Sequence, residues 1–139
     1  MSDEYEFDDV TTDAAVEVYE ASTPIFKGLL KEIRELSRKK PDATMNAGKV
    51  KIVNRVLDDL LGILKVEPTG KYLELLSDES LPQVSDAVLT MVQFESALEA
   101  FESKYRKYID HEQHWITQET LDAWNAEEES EEEEENGKK

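Results

Sequence analysis

The 139-residue chain contains no cysteine, and none of its apolar runs approaches the roughly 18 residues of a membrane-spanning helix. The absence of cysteine excludes a disulfide framework, a thiolate metal site and a cysteine nucleophile, and it fits a reducing compartment. The amino-terminal sequence MSDEYEFDD is acidic and lacks an apolar stretch, so it does not read as a secretory signal. We therefore expect a cytoplasmic protein that does not enter a membrane.

Positive charge is scarce as well. The chain has 16 lysines and arginines against 33 aspartates and glutamates, which gives a formal net charge of −17. The excess of acid lies at the two ends, in MSDEYEFDD and in the glutamate run of residues 127–135, and the body between them is nearly balanced. An acidic surface repels phosphate backbones and attracts basic partners. Direct binding of nucleic acid is therefore disfavoured.

Apolar side chains recur three and four residues apart over residues 80–110, the longest helical pattern in the chain. This spacing puts them on one stripe of a helix with about 3.6 residues per turn. Shorter patterns predict helices over residues 13–20, 24–39, 49–65, 71–76 and 118–126. The chain is therefore predicted to be all-α, a small bundle of about four main helices with acidic disordered termini.

Local signals mark the ends of these helices. Thr12 and Thr117 are predicted N-caps, Ser80 with Gln83 matches a capping box, and Pro24 suits the first position of the second helix. The apolar stripes predict this core: Phe26, Leu29, Ile33, Val53, Leu57, Leu60, Leu64, Val88, Met91, Leu98 and Phe101.

Composition divides the chain into three parts. Residues 1–10 are predicted to be a disordered acidic arm, residues 11–126 a helical domain, and residues 127–139 a disordered glutamate-rich tail. The tail prediction depends on the absence of apolar side chains from the glutamate run, which leaves it nothing to bury.

His111, Glu112 and His114 form the histidine cluster of the sequence, with the two histidines three residues apart. The helical zinc-protease motif needs them four apart, and a metal site here would need a further ligand from elsewhere. A polar helix end is the simpler interpretation of the cluster, and we predict no cofactor.

Arg106 and His111 spell R-x4-H, and this six-residue segment resembles the motif of HEPN-type ribonucleases, which are also small helical bundles. The resemblance implies an arginine and a histidine that converge at a dimer groove to cleave RNA. A ribonuclease is the least favoured alternative, because an acidic surface repels the phosphate backbone of RNA.

A non-enzymatic protein-binding module, an adaptor or chaperone, is the favoured function, since no nucleophile–base pair, phosphate loop or metal set can be assembled from the residues. Its partner is another protein with basic or apolar segments, and homo-oligomerisation stays open. The alternative is a nucleic-acid mimic or antitoxin-like inhibitor that binds a basic enzyme. The candidate partner-binding residues are Tyr72, Leu75, Trp115, Trp124, Glu127, Glu128 and Glu129.

Residues 63–92, ILKVEPTGKYLELLSDESLPQVSDAVLTMV, resemble the helix, short helix and long helix of the shorter form of phage tail assembly chaperones. That family also shares the small acidic helical body and the charged carboxy-terminal extension. The resemblance implies a chaperone, in the cytoplasm of a bacterium or phage-infected host, that coats a tape-measure protein or binds tail-tube subunits. It further implies a ribosomal frameshift, for which the codons of Lys138 and Lys139 are candidates, and it carries over no catalytic residues.

Overall fold

The computed structural model of the chain describes residues 7–137, with side chains as far as residue 134. Helices dominate these residues, which confirms the all-α class and the small helical bundle. The elements are α1 (Asp13–Lys39), α2 (Ala47–Leu64), a short 3-10 helix (Pro68–Gly70), α3 (Val84–Tyr105), β1 (Arg106–Ile109), β2 (Glu112–Trp115) and α4 (Gln118–Gly137). Within the described part of the chain, no helix is both long and apolar enough to cross a membrane.

The chain divides into two compact units, and the predicted helical domain over residues 11–126 spans parts of both. The central unit is Glu17–Glu102, and the terminal unit joins the residues up to Val16 with those from Ser103 onward. The divisions fall inside α1 and α3, so no linker composition in the sequence marks them.

Aromatic contacts between α1 and α3 organise the core of the central unit. Tyr19 stacks on Phe101 with ring centroids 5.4 Å apart, and Phe26 meets Phe94 at 6.5 Å. Positions that increase along α1 thus meet positions that decrease along α3, so the two helices are antiparallel. The predicted core residues are buried, except that Leu29 and Val88 are only half-buried.

α1 continues without a break through Pro24, so the predicted boundary between two helices at residues 22–24 is wrong. Proline inside a helix costs about 3 kcal/mol, because it removes a backbone hydrogen bond and its ring crowds the preceding turn. Burial of Tyr19 before the proline and of Phe26 after it offsets this cost, since both side chains need the same helical stripe.

The predicted short helix over residues 71–76 is also wrong, because this segment has no regular structure. The Asn54 side chain on α2 binds both backbone groups of Leu76: its amide nitrogen donates to the Leu76 carbonyl, and its oxygen accepts from the Leu76 N–H, each at 2.9 Å. Gly70 packs so closely on the end of α2 that an added Cβ would lie 1.9 Å from the Leu64 carbonyl oxygen. The loop is therefore held by polar and steric contacts.

The long helix is shorter at both ends than the sequence predicts, since α3 covers Val84–Tyr105 and not residues 80–110. The predicted capping box of Ser80 and Gln83 is wrong, because Ser80 lies four residues before the helix, where its N–H donates to Ser77 Oγ at 3.0 Å. After Tyr105 the chain forms the β1–β2 hairpin. Its turn residues Asp110 and His111 have φ angles of 50° and 69°, a left-handed conformation that interrupts a helix.

α4 extends to Gly137, so the predicted disorder of residues 127–139 is wrong for residues 127–137. Glutamate has a high intrinsic helix propensity, and the capped, partly buried first half of α4 supplies the nucleus from which the helix continues. Residues 138–139 and 1–6 lie outside the described residues. Of the predicted acidic arm, residues 7–10 have no regular structure, and Asp9 lies 3.8 Å from the Lys104 ammonium.

Candidate functional site: an acidic groove in the terminal unit

Reciprocal hydrogen bonds hold the starts of α1 and α4 side by side. The buried Thr117 hydroxyl accepts from the Thr120 N–H at 3.1 Å, which confirms Thr117 as the N-cap of α4. The same hydroxyl donates to Asp13 Oδ1 at 2.6 Å. In return, the Asp13 N–H at the first position of α1 donates to Glu119 Oε2 at 2.9 Å. Each helix start thus supplies a polar partner for the other.

Backbone pairing joins the residues before α1 to the residues before α4. The Thr11 N–H donates to the Ile116 carbonyl, and the Gln118 N–H donates to the Thr11 carbonyl, each at 3.0 Å. The Ile116 N–H donates to the Tyr105 carbonyl at 2.7 Å, which extends the hairpin ladder by one bond. These bonds set the position of α4 beside the hairpin.

The hairpin register decides which side chains face α4. Side chains that are paired across two antiparallel strands share a face, and neighbours along a strand point to opposite faces. Ile109 pairs with Glu112 and Lys107 with His114 on one face, and Arg106 pairs with Trp115 and Tyr108 with Gln113 on the other. The first face contributes Ile109, Glu112 and His114 to a groove beside α4.

This acidic groove has a volume of about 350 Å³. Trp124 and His114 form an aromatic corner in it, with ring centroids 5.3 Å apart and planes at 87°. The His114 Nε2 atom lies 3.8 Å from a carboxylate oxygen of Glu112. The residues that line the acidic groove are Ile109, Asp110, Glu112, His114, Trp124, Glu127, Glu128 and Glu131.

The charge of the acidic groove is of one sign. Five of its lining side chains carry carboxylates, and among the described residues no lysine or arginine lines it. Such a concavity concentrates negative potential, because carboxylates on walls of lower dielectric reinforce one another. The arrangement suits a cationic ligand with a flat or apolar part that can lie against Trp124.

The partner-binding residues predicted from sequence separate in the structure. Trp124, Glu127 and Glu128 line the acidic groove, whereas Glu129 is exposed on α4 outside the lining. Trp115 lies on the opposite face of the hairpin, where the Arg106 guanidinium is 5.6 Å from its ring centroid. Sequence reasoning missed Ile109, Asp110 and Glu131 as groove residues, and it interpreted Glu112 and His114 as part of a polar helix end, whereas they lie on strand β2.

Tyr72 and Leu75 belong to the central unit. They lie in the loop held by Asn54, and they are 75% and 39% exposed. Val66, in the turn between α2 and the 3-10 helix, is 77% exposed as well. We name Tyr72 and Leu75 the apolar loop. The Lys71 ammonium lies 5.4 Å from the Tyr72 ring centroid, so a cation already covers part of that ring.

The R-x4-H pair is not brought together within the chain. Arg106 is the first residue of β1 and His111 lies in the turn beyond its last residue, so roughly 10 Å of extended strand separates their backbones. His111 instead meets Tyr108 edge-on at a centroid distance of 6.4 Å. Among the described residues, no group of three histidines, aspartates or glutamates could hold a metal ion.

Comparison of the chain with known protein families, with curated proteins and with solved structures finds no match.

Proposed function

We propose that the protein is a non-enzymatic protein-binding module, and that its acidic groove holds a basic segment of another protein. The observation that supports this proposal is the convergence of carboxylates from the hairpin and from α4 on a preformed groove with an aromatic corner. A lysine or arginine side chain that enters the groove gains charge-assisted hydrogen bonds to these carboxylates. Its alkyl stem or guanidinium plane packs against Trp124.

Assembly chaperone is the most specific version of this function. A chaperone that holds a client in an extended form needs apolar as well as charged contacts, and the apolar loop offers exposed side chains on a segment that Asn54 holds in place. A loop held in its binding conformation loses little entropy when a partner docks. The resemblance of residues 63–92 to phage tail assembly chaperones supports the same version, and it implies a protein of the cytoplasm of a bacterium or phage-infected host.

One observation favours the alternative of a nucleic-acid mimic. Seven of the eight residues 127–134 are glutamates, and α4 is helical there. At about 1.5 Å of rise per residue, this gives roughly one carboxylate per 1.7 Å of axis, which is close to the charge density of duplex DNA. A mimic needs the whole glutamate helix for this charge density, whereas the binding module needs only the face that lines the groove.

A pair of matched triple variants tests the proposal. Glu127→Gln, Glu128→Gln and Glu131→Gln together remove the α4 carboxylates of the groove, and Glu129→Gln, Glu132→Gln and Glu133→Gln remove the same charge elsewhere on α4. With a decalysine peptide as probe, titration calorimetry is expected to show affinity reduced roughly tenfold or more in the groove variant and much less in the control. Equal losses in both variants would contradict a groove and favour the mimic.

A further inference from the structure

We infer that α4 is a conformational switch for this site, in which binding of a basic segment in the acidic groove and the helical state of residues 127–134 are thermodynamically coupled. The basic segment stabilises the helix, and unwinding of the helix releases the segment. This inference rests on the proposed function and adds to it the means by which the site is formed and lost.

The first half of α4 is stabilised as a helix by more contacts than the second half. The first half is held by the Thr117 cap and by burial of Leu121, and Trp124 packs edge-on with His114. The second half consists almost entirely of glutamates, which are exposed over residues 127–134 except for the half-buried Glu128, and no basic residue lies in the last turn. Glutamates three and four residues apart repel one another on a helix surface, and negative charge at a helix C-terminus opposes the helix dipole. The second half is therefore the marginal part of the helix.

The α4 wall of the groove exists only when this marginal part is helical. Its members Trp124, Glu127, Glu128 and Glu131 are spaced i, i+3, i+4 and i+7, which is one face of an α-helix. In an extended chain the same four side chains would point in different directions. A ligand of the groove thus binds the helical state and has no equivalent site in the unwound state.

Linkage then requires that the ligand shift the equilibrium toward the helix. A bound cation also removes part of the repulsion between Glu127 and Glu131, so the charge and the geometry act in the same direction. By the reciprocity of coupling, any change that lowers the helical population without altering charge must weaken binding by the factor by which that population falls.

Proline substitution at Ser130 provides such a change. Ser130 is an exposed helical residue that does not line the groove, and Ser130→Pro unwinds the preceding turn while the charge stays constant. Ser130→Ala is the matched control, because alanine favours the helix. The readouts are the affinity for decalysine and the hydrogen-exchange rates of the amides of residues 127–134, with protection in the central unit as the check on folding.

The inference predicts that saturating decalysine slows exchange in residues 127–134, by up to about 100-fold at a peptide concentration of 100 Kd. It predicts that Ser130→Pro weakens binding roughly tenfold or more and that Ser130→Ala binds at least as tightly as the natural chain. Binding with unchanged exchange, or equal affinities of the two Ser130 variants, would overturn the coupling and leave the proposed function in place. Absence of binding by the natural chain would overturn both.

Discussion

The contacts that stabilise the central unit internally differ in kind from those that stabilise the terminal unit internally. In the central unit, apolar side chains from three helices fill the core, and Phe26, Phe94 and Leu57 are completely buried. In the terminal unit, backbone pairing at Thr11 and hydrogen bonds from Thr117 to Asp13 and from Asp13 to Glu119 join residues that lie more than 100 positions apart. The comparison teaches that a periodic apolar pattern specifies the first kind of unit, while the second depends on a few polar groups placed far apart in sequence.

The largest effect is expected from removal of an aromatic ring in the central unit. Phe94→Ala should lower the free energy of unfolding by about 3–5 kcal/mol, because the ring is fully buried against Phe26 and leaves a cavity. Leu89→Ala on the same helix is the control, since Leu89 is 63% exposed and its loss should change stability by less than about 0.5 kcal/mol. Denaturant unfolding measures both, and similar effects at the two positions would contradict the assignment of the core.

Gly70 and Gly62 are expected to respond to alanine with opposite signs. Gly70→Ala places a Cβ against the Leu64 carbonyl and should destabilise the central unit by about 1–3 kcal/mol. Gly62→Ala meets no atom within 4 Å inside α2 and should stabilise by about 0.5–1 kcal/mol. Thermal unfolding of the two variants gives the comparison, and a tolerated Gly70→Ala would show that the loop can move away from α2.

Loss of the shared cap should affect the terminal unit alone. Thr117→Val removes the hydroxyl that accepts from Thr120 and donates to Asp13, and it should destabilise the start of α4 by about 1–2 kcal/mol. Hydrogen exchange is expected to rise in α4 and in residues 7–16, with little change in the central unit. Thr117→Ser keeps the hydroxyl and should restore most of the protection, and a failure of this rescue would argue against capping as the cause.

The smallest effect is expected at Thr23. Its hydroxyl is buried and has no hydrogen-bond partner among the described residues. Thr23→Val replaces the hydroxyl by a methyl group of similar size, so the free energy of unfolding should rise by up to about 1 kcal/mol. Chemical denaturation is the measurement, and a loss of stability would mean that the hydroxyl has a bonding role.

The difference between the central unit and the terminal unit also explains how much of the molecule could be predicted from its sequence. Leu57, Leu60 and Met91 repeat at helical spacing, and burial of such a stripe needs no knowledge of the rest of the chain. The interval from Phe101 to Tyr105 fits a helix, but Tyr108 and Ile109 also suit a strand, and only the turn at Asp110 and His111 decides between the two readings.

The candidate site was only partly predictable for the same physical reason. Trp124 and Glu127 could be named from sequence because an aromatic side chain beside a glutamate run is visible without a structure. Glu112 and His114 enter the groove only through the hairpin register, and Asn54 supports the apolar loop only through a contact 22 residues away. Sequence reasoning has no local signal for contacts of this kind.

The indole N–H resonances of the two tryptophans test the central claim most directly. Trp124 lines the acidic groove and Trp115 lies on the opposite hairpin face, so one nitrogen–proton correlation spectrum contains both the probe and its control. On titration with decalysine at low salt, we predict that the Trp124 signal shifts to saturation while the Trp115 signal stays in place, and that added salt reverses the shift. A shift of Trp115 alone, equal shifts of both signals, or no shift of either would contradict a basic segment bound in the groove.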